Sequence, residues 1–270
     1  MTERRRADLT LVQCGLAPSR EKAQALIMAG QVYFREELVQ KASVMIESPD
    51  ELYVKGRAHP YVSRGALKLE KALRAFDADV RGAIAMDIGA STGGFTEVLL
   101  LNGTAHVFAI DVGYGQLDWK LRNDPRVTVM ERTNARYLEA AMLNGMRPTV
   151  TVMDVSFISV KLLLPVAAML MESLGCFYIL IKPQFEAGRE HVGKKGVVRD
   201  PGVHALTLHS LKEFMASFAY RMTKLDFSPI TGPEGNIEYI AELLPAAVNS
   251  NAVSTEHICH VVEYAFDSLL

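Results

Sequence analysis

Asp87-Ile-Gly-Ala-Ser-Thr-Gly-Gly-Phe95 decides how this 270-residue chain is read. In front of it, Ala83-Ile-Ala-Met-Asp-Ile88 is an apolar run of strand length; behind it, Gly94 to about Leu101 reads as a helix ended by Asn102-Gly103. A strand that turns through glycines into a helix offers a ligand bare backbone and the free N–H groups of the helix start. The spacing is Gly-x-x-x-Gly-Gly, whereas a loop that wraps a dinucleotide pyrophosphate reads Gly-x-Gly-x-x-Gly. A nicotinamide-dependent oxidoreductase therefore fits the turn poorly.

Outward from the turn, strands and helices alternate, which predicts an α/β domain with a mainly parallel sheet. Further strands are expected at His106–Asp111, Val127–Met130, Thr149–Asp154, Cys176–Lys182, Met222–Phe227 and Ile237–Leu244. Asp200-Pro201 starts one helix and Ser254 caps the last. Asp111 follows Gly94 by 17 positions and ends the second strand, where an acid can accept both hydroxyls of a ribose or simply cap the strand. Asp154 and Lys182 end two more strands, on the side where open α/β sheets bind ligands. A carboxylate and an ammonium are costly to bury there unless paired, so a salt bridge or a working pair is expected. Lys68 stands on an amphipathic helix leading into the sheet, beside Leu69, Leu73 and Phe76, with Ser63 as its expected cap. Glu238 opens the last strand.

Composition bounds the rest. With 49% hydrophobic and 22% charged residues the chain is neither disordered nor fibrous. The longest apolar run, Leu162–Met171, is half a membrane span and is broken by Pro165. No apolar segment follows Arg4-Arg5-Arg6 closely enough for a secretory signal, and Cys14, Cys176 and Cys259 are isolated. A cytoplasmic protein without membrane contact or metal is expected. Residues 1–75 carry 13 Lys/Arg against 9 Asp/Glu, while residues 76–270 carry 16 against 22. A basic front on an acidic body suggests a small module that meets a polyanion. Two short helices, the second capped by Ser19 and stopped by Gly30, and short strands at Val32–Phe34, Leu38–Val39, Val44–Ile46 and Leu52–Val54 make up this front. The linker-like Val54–Val62 separates the two parts, giving domains 1–60 and 61–270. The loop Gly188–Gly196, with Arg189, His191, Lys194, Lys195 and nearby Arg199, follows the fifth strand and can clamp the phosphates of a polyanion or stay solvated. Trp119 and Tyr114 line an adenine pocket or pack in the core, Met169 and Met171 read as helix core, and His204 and His209 read as ordinary histidines.

Three resemblances sharpen this reading. The glycine turn resembles motif I of S-adenosylmethionine-dependent methyltransferases. Ser19-Arg-Glu-Lys-Ala23, Ile27-Met-Ala-Gly30 and Val32-Tyr33 resemble the S-four-like RNA-binding fold, although Phe34-Arg-Glu-Glu37 replaces that family's usual Asn-Gly turn. Val62-Ser-Arg-Gly-Ala-Leu-Lys-Leu69, Asp111-Val-Gly-Tyr-Gly-Gln-Leu117, Asp154-Val-Ser-Phe-Ile-Ser159, Lys182-Pro-Gln-Phe-Glu-Ala-Gly-Arg189 and Gly235-Asn-Ile-Glu-Tyr239 resemble, nearly end to end, the TlyA family of bacterial proteins. Ala66 stands for a usual second glycine of that family, and Lys194-Lys-Gly196 for a more glycine-rich stretch.

That resemblance implies 2′-O-methylation of ribosomal RNA by a Rossmann-like sheet of FtsJ/RrmJ type, behind a small α+β RNA-binding domain. It carries a catalytic tetrad onto Lys68, Asp154, Lys182 and Glu238. S-adenosylmethionine is expected on Asp87, Gly89, Ala90, Ser91, Thr92, Gly93, Gly94, Phe95, Asp111 and Val112; the S-four-like resemblance puts RNA on Arg4, Arg5, Arg6, Arg20 and Lys22, and the basic loop adds Arg189, Lys194 and Lys195. A 2′-hydroxyl is a poor nucleophile until it loses its proton. Lys182, flanked by a second ammonium and low-polarity walls, is expected to be the base. Asp154 would orient it, Lys68 would stabilise the developing alkoxide, and Glu238 would position Lys68 or the ribose. The competing functions are a membrane-active hemolysin, a label many members of the family carry, and a non-enzymatic RNA-binding or ribosome-assembly factor.

Overall fold

The computed structural model describes residues 5–14, 16–17, 19–35, 37–47, 52–54 and 61–269. Arg4 and most of the linker-like stretch, residues 55–60, lie outside the described residues. The chain divides into two units, Met1–Pro60 and Tyr61–Leu270.

The first unit contains β1 (Arg5–Arg6), α1 (Ala7–Gln13), α2 (Arg20–Met28), β2 (Val32–Phe34), β3 (Glu37–Leu38), β4 (Met45–Ile46) and β5 (Leu52–Val54). Ser19 caps α2 as its position suggests, its Oγ accepting from Lys22 N at 3.3 Å. The strand β2 runs between β3 and β5, antiparallel to both, and β1 pairs with β4. Ala7, Leu11, Ala23, Ile27, Val32 and Ile46 form its small core.

The second unit runs α3 (Ala66–Ala75), β6 (Ile84–Ile88), α4 (Gly94–Leu101), β7 (His106–Ile110), α5 (Trp119–Arg122), β8 (Val127–Met130), β9 (Val150–Met153), α6 (Leu164–Leu170), β10 (Cys176–Ile181), α7 (Pro183–Glu186), α8 (Pro201–Ala216), β11 (Tyr220–Phe227), β12 (Tyr239–Pro245) and α9 (Thr255–Leu269). Its seven strands stand in the order β11-β12-β10-β9-β6-β7-β8. The run from β10 to β8 is parallel, and β12 is antiparallel to both of its neighbours. Alternate side chains enter opposite cores, as strands buried on both faces require. Met86, Ile88, Phe108, Ile110, Phe177 and Ile179 pack with α6, α8 and α9. Ala85, Val107, Ala109, Tyr178 and Leu180 pack with α3, α4 and α5.

Register then fixes one end of the sheet. Ile88 pairs with Met153, Met153 with Ile179, and Ile181 with Tyr239. The next residues along, Asp154 and Lys182, and Glu238 just before Tyr239, therefore share the edge where β6 is flanked by β9 and β7 and the strand order reverses.

Three local expectations are corrected. Ser63 does not cap α3: the helix starts at Ala66 behind a tight turn and has Gly65 at its cap position with no side-chain bond, because Ser63 lies too far upstream. Met171 is buried but Met169 is 74% exposed, since α6 turns that position outward. Trp119 at 75% exposure and Tyr114 at 68% are not core residues.

Candidate active site

The four charged residues expected to work together meet. Lys68 Nζ lies 2.6 Å from Glu238 Oε2 and 3.4 Å from Asp154 Oδ2. Lys182 Nζ lies 2.6 Å from Asp154 Oδ1 and donates to Ser156 Oγ at 3.0 Å. Asp154 thus bridges two ammonium groups, one on each oxygen, and the line runs Glu238, Lys68, Asp154, Lys182, Ser156. Two positive and two negative charges balance in a nearly dry setting, the arrangement that makes buried charge tolerable. The second ammonium expected to flank Lys182 is linked to it through Asp154, which contacts both lysines.

Burial, the largest single effect on Lys68, lowers its pKa, but the pull of Asp154 and Glu238 together carries it above the ordinary lysine value. Lys68 is therefore a fixed cation, suited to stabilising negative charge rather than to removing a proton.

All four residues line one cavity of about 580 Å³. A second, of about 500 Å³, has Asp111, Val112, Gln116, Asn134 and Leu163 in its walls. Gly89, Ser91, Asp154, Ser156 and Phe157 belong to both, so the two adjoin at the tetrad. The glycine turn makes the junction possible. At Gly89, with φ of +88°, a Cβ would lie 2.5 Å from the Asp154 carbonyl oxygen, so no side chain fits there. At Gly94 a Cβ would lie 2.4 Å from Ser63 Oγ, which packs the segment before α3 directly on the start of α4.

The expected cofactor residues divide. Gly89, Ser91, Asp111 and Val112 line the second cavity, while Gly89, Ala90, Ser91, Thr92, Gly94 and Phe95 line the tetrad cavity. Gly93 and Asp87 line neither. A Cβ at Gly93 would strike Leu117 and Leu121, so that glycine serves packing against α5. Asp87 is fully buried beneath the turn, where its Oδ2 accepts from Thr96 Oγ1 at 2.7 Å and its Oδ1 has no hydrogen-bond partner among the described residues. Burial, reinforced by Asp154 and Asp111 and opposed by the Thr96 bond, pushes its pKa up to about 7.

Asp111 combines both roles considered for it. Its Oδ2 accepts from Ser91 N at 2.8 Å and its Oδ1 from Gly113 N at 2.7 Å, tying the glycine turn to the loop after β7. Each oxygen keeps lone-pair capacity toward the cavity it lines. An acid at one end, apolar walls from Val155, Ile158 and Leu163, and a cradle with no room for a Cβ would fit the adenosine of S-adenosylmethionine.

Phe157 was not singled out in the sequence. It is 92% exposed, has a left-handed φ of +64°, lines both cavities and holds its ring 5.2 Å from that of Phe185. Such a conformation is costly for a bulky residue and points to a use for the exposed ring. Glu186 secures this segment by accepting from Ser159 Oγ at 2.6 Å and Val160 N at 2.8 Å. Periodicity carries no signal for either residue; both lie in the strings that carry the family resemblance.

The expected RNA-contacting residues fall in both units. Arg189, Lys194 and Lys195 are exposed on the loop after α7. In the first unit Lys22 is exposed and Arg5 bonds to Gln13. Arg6 and Arg20 are 37% and 52% exposed and share a fully buried carboxylate, Asp8, at 3.0 and 2.9 Å. Arg6 above all, with Gln24 and Arg20, holds that carboxyl far below the usual carboxylate range against its burial.

The chain is similar to known proteins over most of its length. The model of the FtsJ-like methyltransferases matches residues 61–243. A Bacillus subtilis (strain 168) protein, YqxC, to which an rRNA methyltransferase activity is ascribed, is 49% identical over 99% of this chain and 96% of its own. The 16S/23S rRNA (cytidine-2′-O)-methyltransferase TlyA of Mycobacterium tuberculosis is 45% identical over 88% of this chain and 89% of its own. A solved structure from Streptococcus thermophilus that carries the name hemolysin superposes with a TM-score of 0.77 at 42% identity, covering 99% of this chain and 98% of that one. Among the described residues, no helix is long and apolar enough to cross a membrane. With its methyltransferase model matched over most of the second unit and relatives this similar along nearly the whole length, the chain belongs to the FtsJ-like methyltransferase family.

Proposed function

We propose that this protein is a cytoplasmic enzyme that methylates a ribose 2′-hydroxyl of ribosomal RNA, using S-adenosylmethionine, with Tyr61–Leu270 as the catalytic domain and Met1–Pro60 as an S-four-like RNA-binding domain. The observation that carries the reading is the Asp154 bridge between Lys68 and Lys182, set in the wall shared by two cavities. One cavity suits the cofactor's adenosine; the other, lined by the tetrad, is left for the ribose.

Bound S-adenosylmethionine supplies an electrophilic methyl group on a sulfonium. Lys182, once it has released its own proton, would accept the proton of the 2′-hydroxyl while the ribose oxygen takes the methyl group. Asp154 fixes the position of Lys182 and also receives Lys68. Lys68, kept cationic by its two carboxylates, stabilises the negative charge that develops on the oxygen. Glu238 holds Lys68. The Phe157 ring, exposed at the junction of the cavities, offers a stacking surface to the base attached to that ribose. In the first unit Asp8 keeps two partly exposed guanidiniums in place, which suits contact with RNA phosphates. The names of the relatives support ribosomal RNA as the substrate.

Incubation with methyl-labelled S-adenosylmethionine and separated ribosomal subunits from cells lacking the protein tests this. Label on a ribose oxygen is expected; label confined to bases overturns the proposal.

A further inference from the structure

We propose that the turn from His191 to Asp200 is a preset seat for a backbone phosphate of the RNA strand beside the nucleotide being modified, and that Asn236 holds that seat in register with the tetrad. This rests on the ribose-methylation reading above.

The turn encloses a hollow of about 330 Å³ lined by His191, Lys194, Lys195, Val197, Arg199 and Asp200, among others. Lys194, Lys195 and Arg199 are exposed and make no side-chain hydrogen bond or ion pair among the described residues. Two acids are nearby, and one of them, Asp200, also lines the hollow. Asp200 Oδ1 accepts from Gly202 N at 2.8 Å to cap α8, and Glu190 lies 3.8 Å from His191. Three cations against one carboxylate leave the concavity net positive, which matches a phosphate better than a neutral or cationic group.

The turn is also pinned, which surface loops seldom are. Gly193 N donates to Val197 O at 3.1 Å, and Gly196 N to Gly193 O at 2.8 Å. Asn236, only 3% exposed, grips the turn twice: its Nδ2 donates to Gly196 O at 2.9 Å, and its Oδ1 accepts from Val198 N at 3.2 Å. His204 Nε2 lies 3.0 Å from Val198 O, and Nδ1 lies 2.8 Å from Tyr239 Oη. A carbonyl only accepts, so Nε2 carries the hydrogen and Nδ1 accepts from the tyrosine. These anchors flank Glu238, the acid that holds Lys68.

One wall separates the seat from the chemistry. Gly196 and Asn236 line the tetrad cavity, while Lys195 and Val197 line the hollow. A phosphate in the hollow would therefore belong to the strand whose ribose occupies the tetrad cavity rather than to a distant RNA helix.

The test uses the full chain with Lys195→Ala and Arg199→Ala combined, both at exposed positions. Binding to a ribosomal RNA fragment, followed by fluorescence anisotropy across a salt series, is expected to weaken about tenfold. The slope of log affinity against log salt should become shallower by about 0.7, one single-strand phosphate's worth. S-adenosylmethionine binding should not change, and the charge-keeping pair Lys195→Arg and Arg199→Lys should restore both affinity and slope. Wild-type affinity and slope in the alanine pair overturn the seat. Asn236→Ala, which removes no charge, should raise KM for RNA more than it lowers kcat; an unchanged KM removes Asn236 from the proposal. Because anisotropy does not depend on methyl transfer, a wild-type protein that fails to label ribose refutes the reading above without deciding the seat.

Discussion

Asp154 stands between Lys68 and Lys182 so that each of its oxygens serves a different ammonium, the shorter contact, 2.6 Å, falling on Lys182. One carboxylate therefore sets the geometry of both the proposed base and the proposed stabilising cation. Asp154→Asn should lower kcat by at least about 100-fold, the scale of positioned acid–base groups, while leaving the cofactor cavity able to bind. Single-turnover methyl transfer and calorimetric cofactor binding check it; near-normal kcat would dissolve the bridge's role.

Glu238 is 2% exposed and bound to Lys68. Removing one partner of a buried pair strands the other charge, so Glu238→Ala should cost about 3–5 kcal/mol of stability. Glu238→Gln, which still accepts a hydrogen bond, should cost less. Urea denaturation of the three proteins separates the cases, and equal losses for both variants would contradict the pairing.

Lys68 has its pKa raised in the folded chain, so folding is favoured by its protonated form. That contribution is complete below the ordinary lysine pKa and is lost as pH rises through the higher folded value. Melting temperature should therefore fall on the alkaline side more steeply in the wild type than in Lys68→Met. Parallel curves would show that Lys68 is not held by its acids.

Asp87 behaves in the opposite part of the scale. Its carboxyl is pushed up to about 7, above its unfolded value, so the folded state holds the proton more tightly. Stability should decline as pH rises from about 4 to about 7, at no more than about 1.4 kcal/mol per pH unit for one proton. Asp87→Asn should remove that slope and gain stability above pH 7. A wild-type melting curve that is flat over this range would contradict the burial-driven shift.

Gly89→Ala tests the cradle. With φ at +88° and a Cβ 2.5 Å from the Asp154 carbonyl, the substitution strains the turn and displaces Asp154 together. A loss of about 1–3 kcal/mol from backbone strain is expected, with a drop in cofactor affinity. Normal affinity would mean that the turn tolerates a side chain.

Much of this was readable before any coordinates. Strand positions from Ile84 to Ile181 followed from short apolar runs, because strands buried on both faces leave that imprint. The tetrad was legible only through family resemblance. Spacing placed Asp154 and Lys182 at strand ends, but Lys68, 86 residues upstream of Asp154, comes from a helix and meets it through tertiary packing. The Asp154 bridge between the lysines, the Asp8 hold on Arg6 and Arg20, and the two grips of Asn236 on Gly196 and Val198 lie beyond periodicity, since each joins distant segments through side-chain atoms. Ser63 misled because a serine before an apolar stripe resembles a cap, whereas a turn intervenes before Ala66.

The most direct measurement compares wild type with Lys182→Ala, in S-adenosylmethionine binding by calorimetry and in single-turnover labelling of ribosomal RNA. Cofactor binding within a few-fold of wild type together with loss of ribose labelling is the result expected if Lys182 takes the hydroxyl proton. Full labelling by Lys182→Ala would contradict it.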